Sequence, residues 1–174
     1  MLKFYGYAVT FAEFPEEISL LLNISNCPGT CSHCSEPELR QDIGTELTNN
    51  KIDELIKNNR GITLFGLMGG DSDHKDCVRI AKYIHEKYEI KVGMYSGKDT
   101  IDFDLLNCLD YYKIGHFIMP VGPVETWGQQ QCGPLCFPQT NQVMLKKIKE
   151  GIFENITYKF QKEKINNPER FIIK

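Results

Sequence analysis

Apolar positions fall into short runs and two amphipathic stretches. Leu2 to Phe11, rich in Phe, Tyr and Val, reads as a strand. Ile18 to Ser25 reads as a buried strand that stops before the Pro28-Gly29 breaker. Residues 26–38 form a polar, cysteine-rich loop. Thr48 is placed to cap a helix with the apolar stripe Ile52, Leu55 and Ile56, ending by Gly61. Ile62 to Phe65 is a short strand, and Gly66 to Asp73 a glycine-rich turn, with Asp71 or Asp73 suited to cap a second helix. That helix is the clearest element: Cys77, Ile80, Ala81, Ile84 and Tyr88 recur at helical offsets with charges between them. Ile90 to Tyr95 reads as a strand, Ser96 to Asp99 as a turn, Asp104 to Leu109 as a short helix and Tyr112 to Met119 as a strand. A Pro/Gly/Gln-rich loop fills 120–139. Val143 to Ile148 and Ile152 to Phe160, joined at Glu150-Gly151, form a hairpin.

Strands alternating with helices predict a parallel sheet with right-handed crossovers. Ligands of such sheets gather at the carboxyl ends of the strands. Three unusual loops share that edge: the cysteine loop after Ser25, the glycine loop after Phe65 and the Ser96-Gly97 turn.

A chain of 174 residues fits one domain, and its 41% apolar and 25% charged residues are an ordinary globular balance. It is too short for a complete eight-fold barrel of about 250 residues. The net charge of −3 argues against nucleic acid as a partner. No run approaches the roughly 18 apolar residues of a membrane span, so no membrane is expected. No signal peptide is read at the N-terminus, where Glu13, Glu16 and Glu17 follow closely. Seven cysteines without an export segment point to a cytoplasmic protein with reduced thiols.

Three cysteines stand in one loop, Cys27-Pro-Gly-Thr-Cys31-Ser-His-Cys34, a C-x3-C-x2-C spacing. Three thiolates within eight residues wrap one compact metal centre, with Pro28 and Gly29 turning the backbone around it. Thiolates hold iron–sulfur clusters, commonly four per cubane, so a three-cysteine loop leaves one iron open for chemistry. A zinc site made of these cysteines and a remote fourth ligand is the alternative, and unrelated reduced thiols the third.

C-x3-C-x2-C after a strand resembles the radical S-adenosylmethionine enzymes. Gly69-Gly70-Asp71, the run Asp110-Tyr-Tyr-Lys113-Ile-Gly115 and Thr140-Asn141-Gln142 are most similar to the activating proteins of anaerobic ribonucleoside-triphosphate reductases. The resemblance spans about residue 2 to residue 160. It implies an α/β fold: a partial (β/α) barrel with a mostly parallel sheet and a C-terminal β-hairpin. Residues 1–160 would form the single radical domain and 161–174 a polar tail. Cys27, Cys31 and Cys34 would hold a [4Fe-4S] cluster, whose open iron takes the amino and carboxylate groups of S-adenosylmethionine. Reductive cleavage of the sulfonium would give methionine and a 5′-deoxyadenosyl radical. That radical would abstract hydrogen from a glycine of the partner, the glycyl-radical subunit of anaerobic ribonucleoside-triphosphate reductase; the alternatives are another glycyl-radical enzyme or a small molecule as target, or a zinc-binding interaction module in place of an enzyme. An electron donor such as flavodoxin would serve the cluster.

The resemblance also suggests cofactor-binding residues. The family carries Gly-Gly-Glu for the methionyl amino group where this chain has Gly69, Gly70 and Asp71, one methylene shorter. His33 matches a residue packing near adenine, and Ser96 with Gly97 would meet the ribose or methionine part. The alternatives are a plain strand-to-helix turn, a solvated loop histidine and a chain turn. Lys113 reads as a surface lysine or a carboxylate partner. Cys132 and Cys136 form a second C-x3-C pair, read as reduced loop thiols or half of another metal site. Cys77 and Cys108 read as core filler, and Trp127 as a cover for the long loop or an anchor for a partner.

Overall fold

The computed structural model describes residues 1–31, 34–118, 135, 140–160 and 170–172. Its strands run β1 Lys3–Thr10, β2 Ser19–Ile24, β3 Thr45–Glu46, β4 Leu64–Met68, β5 Lys91–Tyr95, β6 Tyr111–Ile114, β7 Val143–Lys149, β8 Ile152–Asn155 and β9 Arg170–Ile172. The helices are α1 Asn49–Asn58, α2 His74–Lys87 and α3 Phe103–Cys108. The strands form one open sheet in the order β3-β1-β2-β4-β5-β6-β7-β8-β9. Among the described residues no helix is long and apolar enough to cross a membrane.

Local chemistry sets the helix starts. Thr48 accepts from the Lys51 N–H, and Asp73 from the Asp76 N–H. Asp102 accepts from the Asp104 and Leu105 N–H groups. Each satisfies donors that the first helical turn leaves free. β6 ends at Ile114, short of the expected Met119, because Gly115 adopts φ +107°, which breaks the extended path.

The sheet corrects the expectation of a mostly parallel one. β2, β4, β5 and β6 pair in parallel, linked by α1, α2 and α3. The other five pairings are antiparallel: β1 with β2 and β3, β6 with β7, β7 with β8, and β8 with β9. Parallel neighbours need a long crossover, and among the described residues only the stretch from β2 to β6 supplies α-helices for it. β1 turns back on β2 through a short loop, and β7 on β8 at Glu150-Gly151, the expected hairpin with its second arm ending at Asn155 and a 3-10 turn over Thr157–Phe160 in place of the rest. β9 falls within residues 161–174.

Three helices cover one face. Ile52, Leu55 and Ile56 of α1, Ile80, Ala81 and Ile84 of α2, and Leu105 and Leu106 of α3 pack on Leu20, Leu22, Phe65, Leu67, Val92 and Met94. On the opposite face the loop after β1 folds over the sheet, and Phe14 seats there with Leu21, Leu64 and Tyr111. Gly66 and Gly93 pair across β4 and β5 and make room for it. A Cβ on Gly93 would lie 2.5 Å from the Phe14 ring, and one on Gly66 3.0 Å from it. Buried Glu17 ties this loop down, bonding Lys91 Nζ at 2.5 Å, Thr63 Oγ1 at 2.7 Å and the Tyr111 hydroxyl at 3.0 Å.

Candidate functional site

The four parallel strands end together. Asn23 pairs with Met68, Met68 with Tyr95 and Tyr95 with Lys113, so these four residues form one row across the sheet. A cavity of about 630 Å³ lies at the Asn23 and Met68 end of that row. Cys27, Cys31, Cys34, Gly29, Gly69 and Met68 line it, together with Tyr7 and Ala8 of β1, Glu13 and Arg40.

The cysteine loop is closed at its base by backbone pairing. Asn26 N–H donates to Gln41 O at 3.0 Å and Cys27 N–H to Leu39 O at 2.8 Å. Ser25 Oγ donates to Ile43 O at 2.6 Å. Arg40 Nη2 donates to Cys31 O at 2.7 Å, holding the loop's middle. Gly29 lies between two sulfurs: a Cβ there would be 3.3 Å from Cys27 Sγ and 3.9 Å from Cys31 Sγ. Its N–H donates to Cys27 Sγ at 3.4 Å, a contact that stabilises negative charge on sulfur. Among the described residues no three His, Cys, Asp or Glu side chains converge on one point as ligands of a single ion. A cubane differs in taking each thiolate on a different iron, so its ligands share a cavity wall without meeting. Three reduced thiols lining one cavity, with an N–H donor to one sulfur, fit such a cluster in donor chemistry.

The glycine loop sits beside the cysteines. Gly69 has φ +109°, and its N–H donates to Tyr95 O at 3.0 Å. Gly70 has φ +118°, and a Cβ there would lie 2.7 Å from Cys77 Sγ. Cys77 is the core residue expected; burial pushes its thiol pKa up, and Asp71, Asp76 and Asp73 add to the rise.

Asp71 is not among the residues that line the cavity. Its side chain is 6% exposed. It accepts from Ser96 Oγ at 2.7 Å and the Gly97 N–H at 2.7 Å, and His74 Nε2 lies at 3.2 Å. His74 Nδ1 in turn lies 2.6 Å from Asp102 Oδ2. Asp71, Ser96 and Gly97 are thus brought together, by bonds to one another that join the loops after β4 and β5. Gly69 lines the cavity, while Gly70 and Ser96 are buried beside it. His33, Trp127, Cys132 and Cys136 lie outside the described residues.

Lys113 departs from the surface-lysine reading. It is 7% exposed, on the row shared with Tyr95 and Met68. Its Nζ donates to Gly115 O at 2.9 Å and lies 5.5 Å from the centre of the Tyr95 ring. Desolvation pulls its pKa down to about 8, against the opposing pull of Cys31, Asp71, Asp99 and Glu13. Its signal in the sequence was a place in the run Tyr111-Tyr-Lys-Ile, buried throughout. Arg40 and Glu13 were also missed, because only the folded loops carry them to the cavity.

No protein-family model, curated protein or solved structure matches the chain.

Proposed function

We propose that the protein is a radical S-adenosylmethionine activating enzyme. In this reading it installs a glycyl radical on an anaerobic ribonucleoside-triphosphate reductase. The observation that carries the reading is Cys27, Cys31 and Cys34 lining one cavity with Gly69, at the carboxyl edge of the parallel strands. The parallel run from β2 to β6 with its crossover helices supports the reading as far as an α/β fold with ligands at the strands' carboxyl edge.

A [4Fe-4S] cluster held by Cys27, Cys31 and Cys34 would supply one-electron reduction of the S-adenosylmethionine sulfonium, the chemistry from which glycyl-radical formation on the partner would start. The chain's own residues prepare the site. Cys27, Cys31 and Cys34 hold the metal centre, and the Gly29 N–H tunes the Cys27 sulfur. Arg40 keeps the loop in register through Cys31 O. Side-chain-free backbone at Gly69 allows a ligand's close approach. Lys113 offers a buried cation to an anionic ligand group, and Asp71 holds the two flanking loops together rather than reaching the ligand. The helix-covered face and the Phe14 loop exclude water from beneath.

The test is anaerobic iron–sulfur reconstitution, then addition of dithionite and S-adenosylmethionine. The expected results are a brown protein, release of 5′-deoxyadenosine and, with the host's reductase, a glycyl-radical signal in electron paramagnetic resonance. A colourless protein holding one tightly bound zinc and giving no cleavage refutes the reading.

A further inference from the structure

Thr140-Asn141-Gln142, at the entrance to β7, is absorbed by neither the cluster nor the glycine loop. Thr140 Oγ1 accepts from the Gln142 N–H at 3.0 Å, which fixes the turn. Gln142 is 4% exposed. Its Nε2 donates to Gly115 O at 3.2 Å and reaches His116 O at 3.4 Å. Gly115 O is the same atom that accepts from Lys113 Nζ at 2.9 Å. The other end of Gly115 is held as well, its N–H donating to Lys98 O at 2.7 Å. Gly115 has φ +107°, and a Cβ on it would stand 2.8 Å from Asn141 O and 2.9 Å from Gln142 Cα. The two segments therefore lie flush, with no room for a side chain between them.

We infer that Gln142 is a positioning residue: by holding the Gly115 carbonyl it fixes the direction of the buried Lys113 ammonium at the carboxyl edge of the parallel strands, where an anionic ligand group is received. Lysine's four-carbon stem is flexible, and an ammonium is a point charge with no preferred plane. Its direction here comes from one acceptor on a glycine peptide, the residue type least able to hold its own conformation. Among the described residues that peptide is braced through its carbonyl by one other side chain, Gln142. Asn141 serves as the internal comparison: its Nδ2 donates to His116 O at 3.0 Å and leaves Gly115 O alone.

The ligand class is a carboxylate, which a desolvated ammonium binds through a charge-assisted hydrogen bond. That part rests on the proposed function; the positioning of Lys113 does not. Two measurements keep them apart. The first is acylation of Lys113 by acetic anhydride in the cluster-free full-length protein, read by peptide mass spectrometry. Gln142→Met should raise the rate several-fold while Asn141→Ala leaves it unchanged. Equal rates in wild type and Gln142→Met, or the same rise in Asn141→Ala, overturn the inference. If Gln142→Met does not fold, Gln142→Asn keeps the amide but ends one methylene short, and the same outcomes apply.

The second measurement is calorimetric binding of S-adenosylmethionine and of its decarboxylated analogue. Gln142→Met should weaken the former about tenfold, the loss of one charge-assisted bond, and leave the latter unchanged. It should add nothing in a Lys113→Met background. Equal weakening of both ligands overturns the inference. A wild type that binds neither ligand refutes the proposed function, and the acylation result then decides the positioning role alone.

Discussion

Phe14 sets the spacing of the sheet beneath the site, and a double-mutant cycle with Gly93 measures how tightly. The ring is fully buried, edge-on to Tyr95 at 5.3 Å and Tyr111 at 5.6 Å between centroids. A methyl on Gly93 would stand 2.5 Å from Phe14 Cε1 and 2.7 Å from Cζ, too close for either to remain. Gly93→Ala should therefore cost about 1–3 kcal/mol, the range for overpacking a filled core. Leucine has no atoms equivalent to Cε1 and Cζ, so Phe14→Leu opens the space that the methyl needs. Phe14→Leu alone should cost about 1 kcal/mol, from lost area and lost edge-on contacts. The double variant should then be little worse than Phe14→Leu, a coupling of about 1–2 kcal/mol. Guanidinium unfolding of the four proteins, compared at constant m-value, reads the cycle. Costs that add to within about 0.5 kcal/mol would refute the contact. The same cycle bears on the cavity, because the neighbouring residue Glu13 lines it and accepts the Tyr95 hydroxyl through its carbonyl at 2.8 Å.

Cys31→Ala should abolish both the brown colour after reconstitution and deoxyadenosine release; retained absorbance and cleavage would show that the ligand set is wrong. Asp71→Asn puts an N–H donor in place of one of the two oxygens that Ser96, Gly97 and His74 share, and should cost about 1–3 kcal/mol in denaturant unfolding; an unchanged midpoint would show that these bonds do not hold the two loops together. Burial opposes the Asp110 charge, but the His85 ring at 2.8 Å and the Val92 N–H at 2.8 Å outweigh it, so its pKa is lowered in the fold. A lowered folded pKa means stability that is present above the unfolded value of about 3.9 and lost as pH falls through the folded one. Wild type should therefore lose more stability between pH 5 and pH 3 than Asp110→Asn does, by urea unfolding at each pH, and equal losses would exclude the linkage.

Features decided within a few residues of chain were legible in the sequence. The caps at Thr48 and Asp73 and the apolar stripes of α1 and α2 depend on neighbours three or four positions away, and the periodicity records them directly. The C-x3-C-x2-C spacing and the Gly69-Gly70 turn belong to the same class, since a loop of eight residues or a backbone at positive φ constrains residue type on the spot. Apart from the hairpin at Glu150-Gly151, strand direction at the sheet's margins was not legible. An apolar run is the same whether its neighbour is parallel or antiparallel, and the choice fell to connection length, which left β2, β4, β5 and β6 pairing in parallel and the other neighbouring pairs antiparallel.

What only the tertiary structure decided concerns polar side chains. Asp71 kept the charge expected of a ligand contact, yet two donors and a histidine from α2 and the β5 loop draw it inward. Lys113, an ordinary surface residue by composition, is buried because β6 lies between two strands and both faces of the sheet are covered. Local pattern reports what a residue prefers; burial and partners arrive from segments tens of residues away, and for a charged group those determine where it points.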